Sequence, residues 1–131
     1  MSQENVEVVR QLYEAVNAQR WGTNRALYDP DYEADLRDGG VGVIRGVEAA
    51  ETTLREYWET FENFHVELRE VIHADDQQVV TAVRDGGRLK GSDAEVWNRF
   101  FHVWAFRNGK VLRLSVHTDR DRALEAAGLS E

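Results

Sequence analysis

The alternation of apolar and polar residues predicts helices mainly in the first half of the chain and strands in the second. Apolar residues recur at helical spacing over Val6–Val16 and again from Val47 to about Phe61, with a short helix expected at Ala26–Tyr28. Period-two patterns predict strands at Tyr32–Arg37, His65–His73, Val79–Arg84, Glu95–Phe106 and Val111–Thr118, and a short last helix runs to Ala127. This order predicts an α+β fold with helices packed on a mostly antiparallel sheet.

The longest predicted strand is unusual because one of its faces mixes aromatic and polar side chains. Since strand side chains alternate, one face carries Val96, Asn98, Phe100, His102, Trp104 and Phe106. A polar group among large apolar neighbours costs free energy unless it is paired or used. Aromatic walls with one or two polar groups are typical of a small-ligand pocket, whereas the alternative is a core strand with a hydrogen-bonded histidine.

The register of the last hairpin decides which side chains face this strip. A two-residue turn at Asn108-Gly109 pairs His102 with Ser115 and Trp104 with Arg113. A three-residue loop with a bulge at Gly109 instead pairs His102 with Leu114, Trp104 with Leu112 and Phe100 with Val116. We favour the loop because it keeps Arg113 out of the apolar strip, which leaves Ser115 and His117 on the outer face.

Composition limits the possible functions of the chain. Its 131 residues fit one domain, 1–131, and a net charge of −8 argues against nucleic acid or anionic membranes as partners. The absence of cysteine excludes disulfides and thiolate metal sites, and the histidines are too scattered to suggest a metal site. Because Met1–Asn5 lacks the features of a signal peptide, we expect a cytoplasmic protein.

Four local segments resemble the SnoaL-like families of the nuclear transport factor 2-like and ketosteroid isomerase-like superfamily. They are Asn5–Ala15, which resembles the opening helix, Asp29–Glu33, Phe101–Val111 and Asp119–Leu129. The resemblance implies a cone-shaped curved sheet, with three helices from the first half of the chain packed over a cavity and a short C-terminal helix. It does not define the reaction, because this fold carries isomerases, cyclases, dehydratases, epoxide hydrolases and proteins without catalytic activity.

The residues that the resembled enzymes use are only partly present. Ketosteroid isomerase-like members use a carboxylate base, a helix tyrosine and a protonated aspartate, which match Leu36, Leu12 and His102 of this sequence. The aspartate of SnoaL-like cyclases matches Val116. The inward carboxylates of limonene epoxide hydrolase-like members and the second inward histidine of scytalone dehydratase-like members are also missing from the expected positions. Each departure argues against that particular activity.

The remaining polar residues predict a site centred on His102. We expect His102 as the base and Asn98 as a donor, with Asp35 as an alternative base if a bulge in the first strand turns it inward. The expected ligand-binding residues are Tyr32, Trp58, Arg84, Trp104 and Val116. We expect this set to bind a small apolar carbonyl compound and to act on it as an isomerase, cyclase or lyase without a cofactor. The alternative is a protein that binds such a ligand without turnover.

The outer face of the long strand predicts an interface. Trp97, Phe101, Val103 and Ala105 would form an apolar patch too large for open solvent. We therefore expect a homodimer through the outer sheet face, the alternative being a cover from a loop or the last helix of the same chain.

Overall fold

The chain forms three helices and one six-stranded sheet, and the computed structural model describes residues 2–129. The helices are α1 (Ser2–Asn17), α2 (Val47–Trp58) and α3 (Arg120–Ala126), with short 3-10 turns at Arg25–Leu27 and Arg37–Gly39. The strands are β1 (Tyr28–Asp35), β2 (Val43–Arg45), β3 (Phe61–Ala74), β4 (Gln78–Leu89), β5 (Glu95–Arg107) and β6 (Lys110–His117). None of the helices within residues 2–129 is both long and apolar enough to cross a membrane.

The strands lie in the order β2-β1-β6-β5-β4-β3 and are antiparallel except for the β1–β6 pair. Helices α1 and α2 pack on one side of the curved sheet, which we call the inner face. The main core lies between these helices and the sheet, and it is built from residues such as Val9, Leu12, Val79 and Trp104. The predicted α+β architecture with a cone-shaped, mostly antiparallel sheet is confirmed.

The main difference from the predicted strands lies in β4, which continues through Gly86-Gly87 instead of ending there. A side chain at Gly86 would put its Cβ 1.9 Å from the carbonyl oxygen of Val96, and one at Gly87 would put its Cβ 2.9 Å from the carbonyl oxygen of Asn63 on β3. The glycines therefore let three strands bend together without a break. The sequence also gave no sign of β2, which lies directly after a glycine-rich loop.

The last hairpin combines features of both predicted registers. Its loop has two residues, Asn108 and Gly109, both with positive φ (54° and 78°), so the favoured three-residue loop was wrong. However, Ala105 pairs with Arg113 while Phe106 pairs with Val111, which makes Leu112 an extra residue. Because of this bulge the predicted faces are correct although the predicted pairs are not.

The resulting pairs place His102 opposite Val116 and Trp104 opposite Leu114 on the inner face. Ser115 and His117 lie on the outer face, opposite Val103 and Phe101, as expected.

The outer face is partly covered by the chain itself. Ala123 of α3 packs against Val80 and Val103 in a small second core. The guanidinium of Arg120 lies 5.7 Å from the ring centre of Phe101, and that of Arg84 lies 4.2 Å from the ring centre of Trp97. The apolar patch is therefore smaller than the sequence suggested, and the homodimer through this face stays a prediction.

Candidate functional site

A buried carboxyl group lies at the centre of one polar cluster on the inner face. Asp85 on β4 lies opposite Asn98 on β5 and is only 7% exposed. The Tyr57 hydroxyl, from the last turn of α2, donates to Oδ1 of Asp85 at 2.8 Å, and Nδ2 of Asn98 donates to the Tyr57 oxygen at 3.1 Å. We call Asp85, Tyr57 and Asn98 the Asp85 cluster.

Burial changes the acidity of this cluster. Desolvation raises the pKa of Asp85 from 3.8 to about 6, and hydrogen bonds from Tyr57 and Asn98 offset only part of that rise. Burial and the neighbouring carboxylate also raise the pKa of Tyr57, so this phenol stays protonated and donates. Asp85 can thus exchange a proton near neutral pH, which an ordinary aspartic acid does poorly.

Aromatic packing holds Tyr57 in position at the end of α2. Its ring makes edge contacts with Phe61 and Phe64, at centroid distances of 5.4 and 5.6 Å. The adjacent Trp58 packs against Trp21 and Phe64. Within residues 2–129, Nε1 of Trp58 is the only buried side-chain nitrogen or oxygen that has no hydrogen-bond partner. This buried indole N–H, on the residue that follows Tyr57, has no acceptor.

A second polar cluster lies further along the same face. Its Thr81 is four residues from Asp85 on β4, which corresponds to about 13 Å along a strand. The hydroxyl of Tyr13, on α1, contacts Oγ1 of Thr81 at 2.8 Å and Nδ1 of His102 at 2.7 Å. It also accepts a hydrogen bond from Nε1 of Trp104 at 3.1 Å. We call these four residues the Tyr13 cluster.

The Tyr13 cluster holds His102 in its neutral form. Burial lowers the pKa of His102 from 6.5 to about 3, and His117 on the opposite face adds a smaller effect in the same direction. Burial likewise raises the pKa of Tyr13 far above its ordinary value. Neither side chain exchanges protons easily near neutral pH, so His102 is poorly suited to the role of base that the sequence suggested.

Two predicted site residues face the wrong side of the sheet. Arg84 lies on the outer face, where its Nε lies 3.2 Å from Oε1 of Glu67, and it cannot bind a ligand on the inner face. Asp35 also points outward, because the register shift of β1 between Tyr28 and Glu33 leaves it opposite Ser115, where Arg113 donates to its carboxylate. Hydrogen bonds from Arg37, aided by Arg113, hold the pKa of Asp35 well below its usual range, which makes it a poor base.

The other predicted residues lie on the expected face, but several are core residues. Asn98, His102, Trp104 and Val116 share the inner face. Tyr32 is 4% exposed and packs edge-on against Tyr28, and Trp104 is equally buried. The face is not closed along its whole length, because several inner residues keep some accessible surface, namely Val96, Asn98, Phe100, His102, Leu114 and Val116.

Sequence reasoning missed Asp85, Tyr57 and Tyr13. On β4 the two alternating sets, Val79-Thr81-Val83 and Val80-Ala82, are both apolar, so periodicity could not decide which set faced the helices. Choosing Arg84 as inward placed Asp85 outward. The resemblance implied a tyrosine on the first helix and matched it to Leu12, whereas the structure places the hydroxyl on the next residue, Tyr13.

The described residues offer no metal-ligand cluster. Within residues 2–129, no three or more histidine or acidic side chains lie close enough together to hold a metal ion.

Comparison with known proteins agrees with this architecture. The SnoaL-like domain model matches residues 9–114, and the chain therefore belongs to the SnoaL-like domain family. No curated protein matches the chain at a significant level. The solved structures that are similar to it include proteins described as SnoaL-like, as nuclear transport factor 2-like and as having a ketosteroid isomerase-like fold.

Three of these solved structures show how broad the group is. Bal32a, from a soil-derived mobile gene cassette, is 24% identical with a TM-score of 0.75, covering 88% of this chain and 89% of that one. A nuclear transport factor 2-like protein of Burkholderia pseudomallei is 22% identical with a TM-score of 0.74, covering 98% of both chains. An LEH-like epoxide hydrolase of M. tuberculosis is 20% identical with a TM-score of 0.71, covering 90% and 84%. At these identities the likeness shows the fold alone.

Proposed function

We propose that this protein binds a small apolar carbonyl compound on the inner face and moves a proton next to the carbonyl group, as an isomerase, cyclase or lyase without a cofactor. The observation that carries the proposal is Asp85, a 7%-exposed carboxyl group whose pKa is raised to about 6. A base with a pKa close to the working pH combines a usable ionised fraction with strong proton affinity.

Each member of the Asp85 cluster has a distinct role in this reaction. Ionised Asp85 takes the proton from the carbon next to the carbonyl group and returns it at another carbon. Tyr57 and Asn98 are the nearby donors, and reorienting either toward the carbonyl oxygen would stabilise the enolate that forms.

The surroundings of the cluster fit an apolar ligand. Phe100 and Val83 pair on the inner face between the two polar clusters, and Phe100 keeps some accessible surface. Leu114 and Val116 extend the apolar lining on β6. An apolar wall with few, converging polar groups is the usual anatomy of a small-molecule site. The similar structures include a protein described as an isomerase from Bacillus subtilis and an epoxide hydrolase, so the fold accommodates such chemistry.

The test is the isomerisation of cyclohex-3-enone to cyclohex-2-enone, and the rate is measured from the ultraviolet absorbance of the conjugated product. We expect the wild-type rate to rise with pH through about 6 as Asp85 ionises. We expect Asp85→Asn to slow the reaction about 100-fold or more, because general acid–base catalysis typically contributes 10²–10⁴-fold. Asp35→Asn, which removes an outward carboxylate, is the matched control and should keep the rate of the folded protein.

Binding is measured separately by the thermal shift that cyclohex-2-enone produces. A shift that wild type and Asp85→Asn share, together with turnover in wild type alone, supports the catalytic proposal. Equal rates in wild type and Asp85→Asn would contradict it. A shift without turnover in either protein would favour the alternative function, a ligand-binding protein without catalytic activity.

A further inference from the structure

The outer face carries a serine, a histidine and an aspartate in contact, on the side of the sheet opposite the two clusters of the inner face. Ser115 and His117 alternate on β6 and so point to the same side of the sheet. Oγ of Ser115 lies 2.9 Å from Nε2 of His117. Nδ1 of the same ring lies 3.4 Å from Oδ2 of Asp38, which the 3-10 turn Arg37–Gly39 presents.

The surroundings of Asp38 favour one arrangement of protons. The backbone N–H of Thr118 and the guanidinium of Arg122 both donate to its carboxylate. Although partial desolvation acts in the opposite direction, these contacts and His117 hold the pKa of Asp38 below its usual value, so it is ionised. An ionised carboxylate beside Nδ1 favours the tautomer with its proton there, which leaves Nε2 free to accept the proton of Ser115.

Ser115 and His117 line a cleft instead of lying in a closed core, and Asp38 is connected to it through Nδ1 of His117. A cleft of about 350 Å³ on the outer face is lined by Ser115, His117, Gln78, Asp35, Arg37 and Arg113. Val103 and Ala105 of the predicted dimer patch also line it, so a substrate reaches the cleft only where no second copy of the chain covers this end of the face. Ser115 is 6% exposed and the side chains of His117 and Asp38 are each 14% exposed, so the triad is sheltered but borders open space. Arg37 and Arg113 share Asp35 as a partner.

We propose that Ser115, His117 and Asp38 form a second, hydrolytic site on the outer face that accepts small carboxylic esters. In the first half-reaction, Oγ of Ser115 attacks the ester carbonyl carbon while its proton passes to Nε2 of His117. The bond to the alkoxide then breaks, and His117 returns the proton to the departing alcohol. In the second, His117 deprotonates a water molecule that attacks the acyl-serine, and the acid leaves as Ser115 regains its proton.

The charged lining of the cleft fits this chemistry and limits the substrate. Negative charge develops on the carbonyl oxygen, and each arginine has five N–H donors, not all of which are used by Glu33 and Asp35. The volume restricts the substrate to a short acyl group and a compact alcohol. Asp38 does not reach the substrate and acts as a positioning residue through His117.

The direct test is labelling with diisopropyl fluorophosphate, whose phosphorus is attacked by an activated serine with loss of fluoride. We expect peptide mass spectrometry of the wild-type protein to find the label on Ser115. His117→Gln should slow labelling at least 100-fold while circular dichroism shows that the fold is kept. Ser92, in an exposed turn where its hydroxyl accepts from the Ala94 N–H, is the internal control and should stay unlabelled.

A catalytic assay with 4-nitrophenyl acetate complements the labelling. We expect Ser115→Ala to fall to the buffer rate and Ser92→Ala to match wild type. Asp38→Asn should slow the labelling of Ser115, because Nδ1 of His117 then loses its facing carboxylate, whereas Asp38→Glu, which keeps a carboxylate, should recover part of the wild-type rate. If Asp38→Asn labels as fast as wild type, Asp38 does not act through His117.

Several results would overturn the proposal. They are a wild-type protein that takes no label at Ser115, a His117→Gln variant labelled at the wild-type rate, and a Ser115→Ala variant that hydrolyses the ester like wild type. Because labelling is read on the wild-type protein, the test does not depend on the folding of any variant.

Discussion

The Tyr13 cluster and the Asp85 cluster share one face of one sheet, yet burial affects them differently. In the Tyr13 cluster a single hydroxyl contacts three partners, all uncharged near neutral pH. In the Asp85 cluster an acid that ionises near pH 6 has been buried with a phenol and an amide as its partners. The first arrangement adds stability through satisfied hydrogen bonds, whereas the second loses stability in exchange for a group able to move protons.

The difference between the clusters follows from their surroundings. Around Trp104, the inner face is closed by residues that are almost fully buried, such as Val79 and Val111. Near Asn98 and Phe100 the same strand keeps accessible surface. The Tyr13 cluster reaches accessible surface only through His102, since Tyr13, Thr81 and Trp104 are buried, and its groups do not exchange protons near neutral pH. The Asp85 cluster borders accessible surface through Asn98 and Tyr57 and holds a carboxyl group that can exchange a proton, so it is the one suited to a ligand.

The largest expected effect comes from the bend that brings Asp85 to Tyr57. Gly86→Ala would place a Cβ 1.9 Å from the Val96 oxygen at a φ of +146°, so we expect the free energy of unfolding to fall by about 3 kcal/mol or more. Gly91→Ala is the matched control, because its φ is +76° but nothing lies within 4 Å of the added Cβ. Its cost should be about 1–2 kcal/mol in urea denaturation. Equal losses in the two variants would show that close packing at Gly86 is unimportant.

The next effect separates two of the buried aspartates, Asp85 and Asp35, by the sign of their pH dependence. Because the folded pKa of Asp85 is raised, its contribution to stability is fully present below pH 3.8 and is lost as the pH rises through about 6. We expect the stability of wild type relative to Asp85→Asn to fall by about 3 kcal/mol between pH 3.5 and pH 7. Urea denaturation at a series of pH values measures this.

Asp35→Asn provides the opposite case. Since the folded pKa of Asp35 is lowered, its contribution is present above pH 3.8 and is lost as the pH falls. Wild type should therefore gain stability relative to Asp35→Asn as the pH rises. Slopes of the same sign for both aspartates would contradict the assignment of their environments.

The smallest expected effect compares the two tyrosines. Tyr13→Phe removes one hydroxyl from three partners, among them the fully buried Thr81, and should cost about 2 kcal/mol. Tyr57→Phe removes the hydroxyl that donates to Asp85. Because the Tyr57 side chain is more exposed than that of Tyr13, the free energy of unfolding should fall by only about 1 kcal/mol. The isomerisation rate of cyclohex-3-enone should show the opposite order, because Tyr57→Phe should lower it more than Tyr13→Phe does. If Tyr13→Phe lowers activity more per folded molecule, the Tyr13 cluster is the functional one.

Much of the fold could be predicted because its signals are local. The helical spacing of Val6–Val16 and the alternation along Glu95–Arg107 each depend on one segment meeting one apolar core. The faces of β5 and β6 were also predicted correctly, since a buried Arg113 would have been too costly. The bulge at Leu112 was not predictable, because a two-residue turn followed by a bulge exposes the same faces as a three-residue loop.

The candidate site was only half predictable. Asn98 and His102 were found because polar residues in an aromatic strand are visible in the sequence. Asp85 was not found, because both alternating sets of β4 are apolar and only pairing with β5 decides which set faces the helices. The depressed pKa of His102 and the raised pKa of Asp85 also depend on burial by distant segments.

The sequence by itself determined the fold class, the apolar stripe of α1, the mixed face of β5 and the SnoaL-like resemblance, since all of these follow from the order and spacing of residues along the chain. Only the tertiary structure decided which carboxyl group is buried with donors, which histidine is neutral, and that Ser115, His117 and Asp38 come together. Hydrogen bonds and desolvation act over a few ångströms between residues that are far apart in the chain, such as Tyr13 and His102. Their outcome is set by strand register and close packing, which sequence patterns only partly specify.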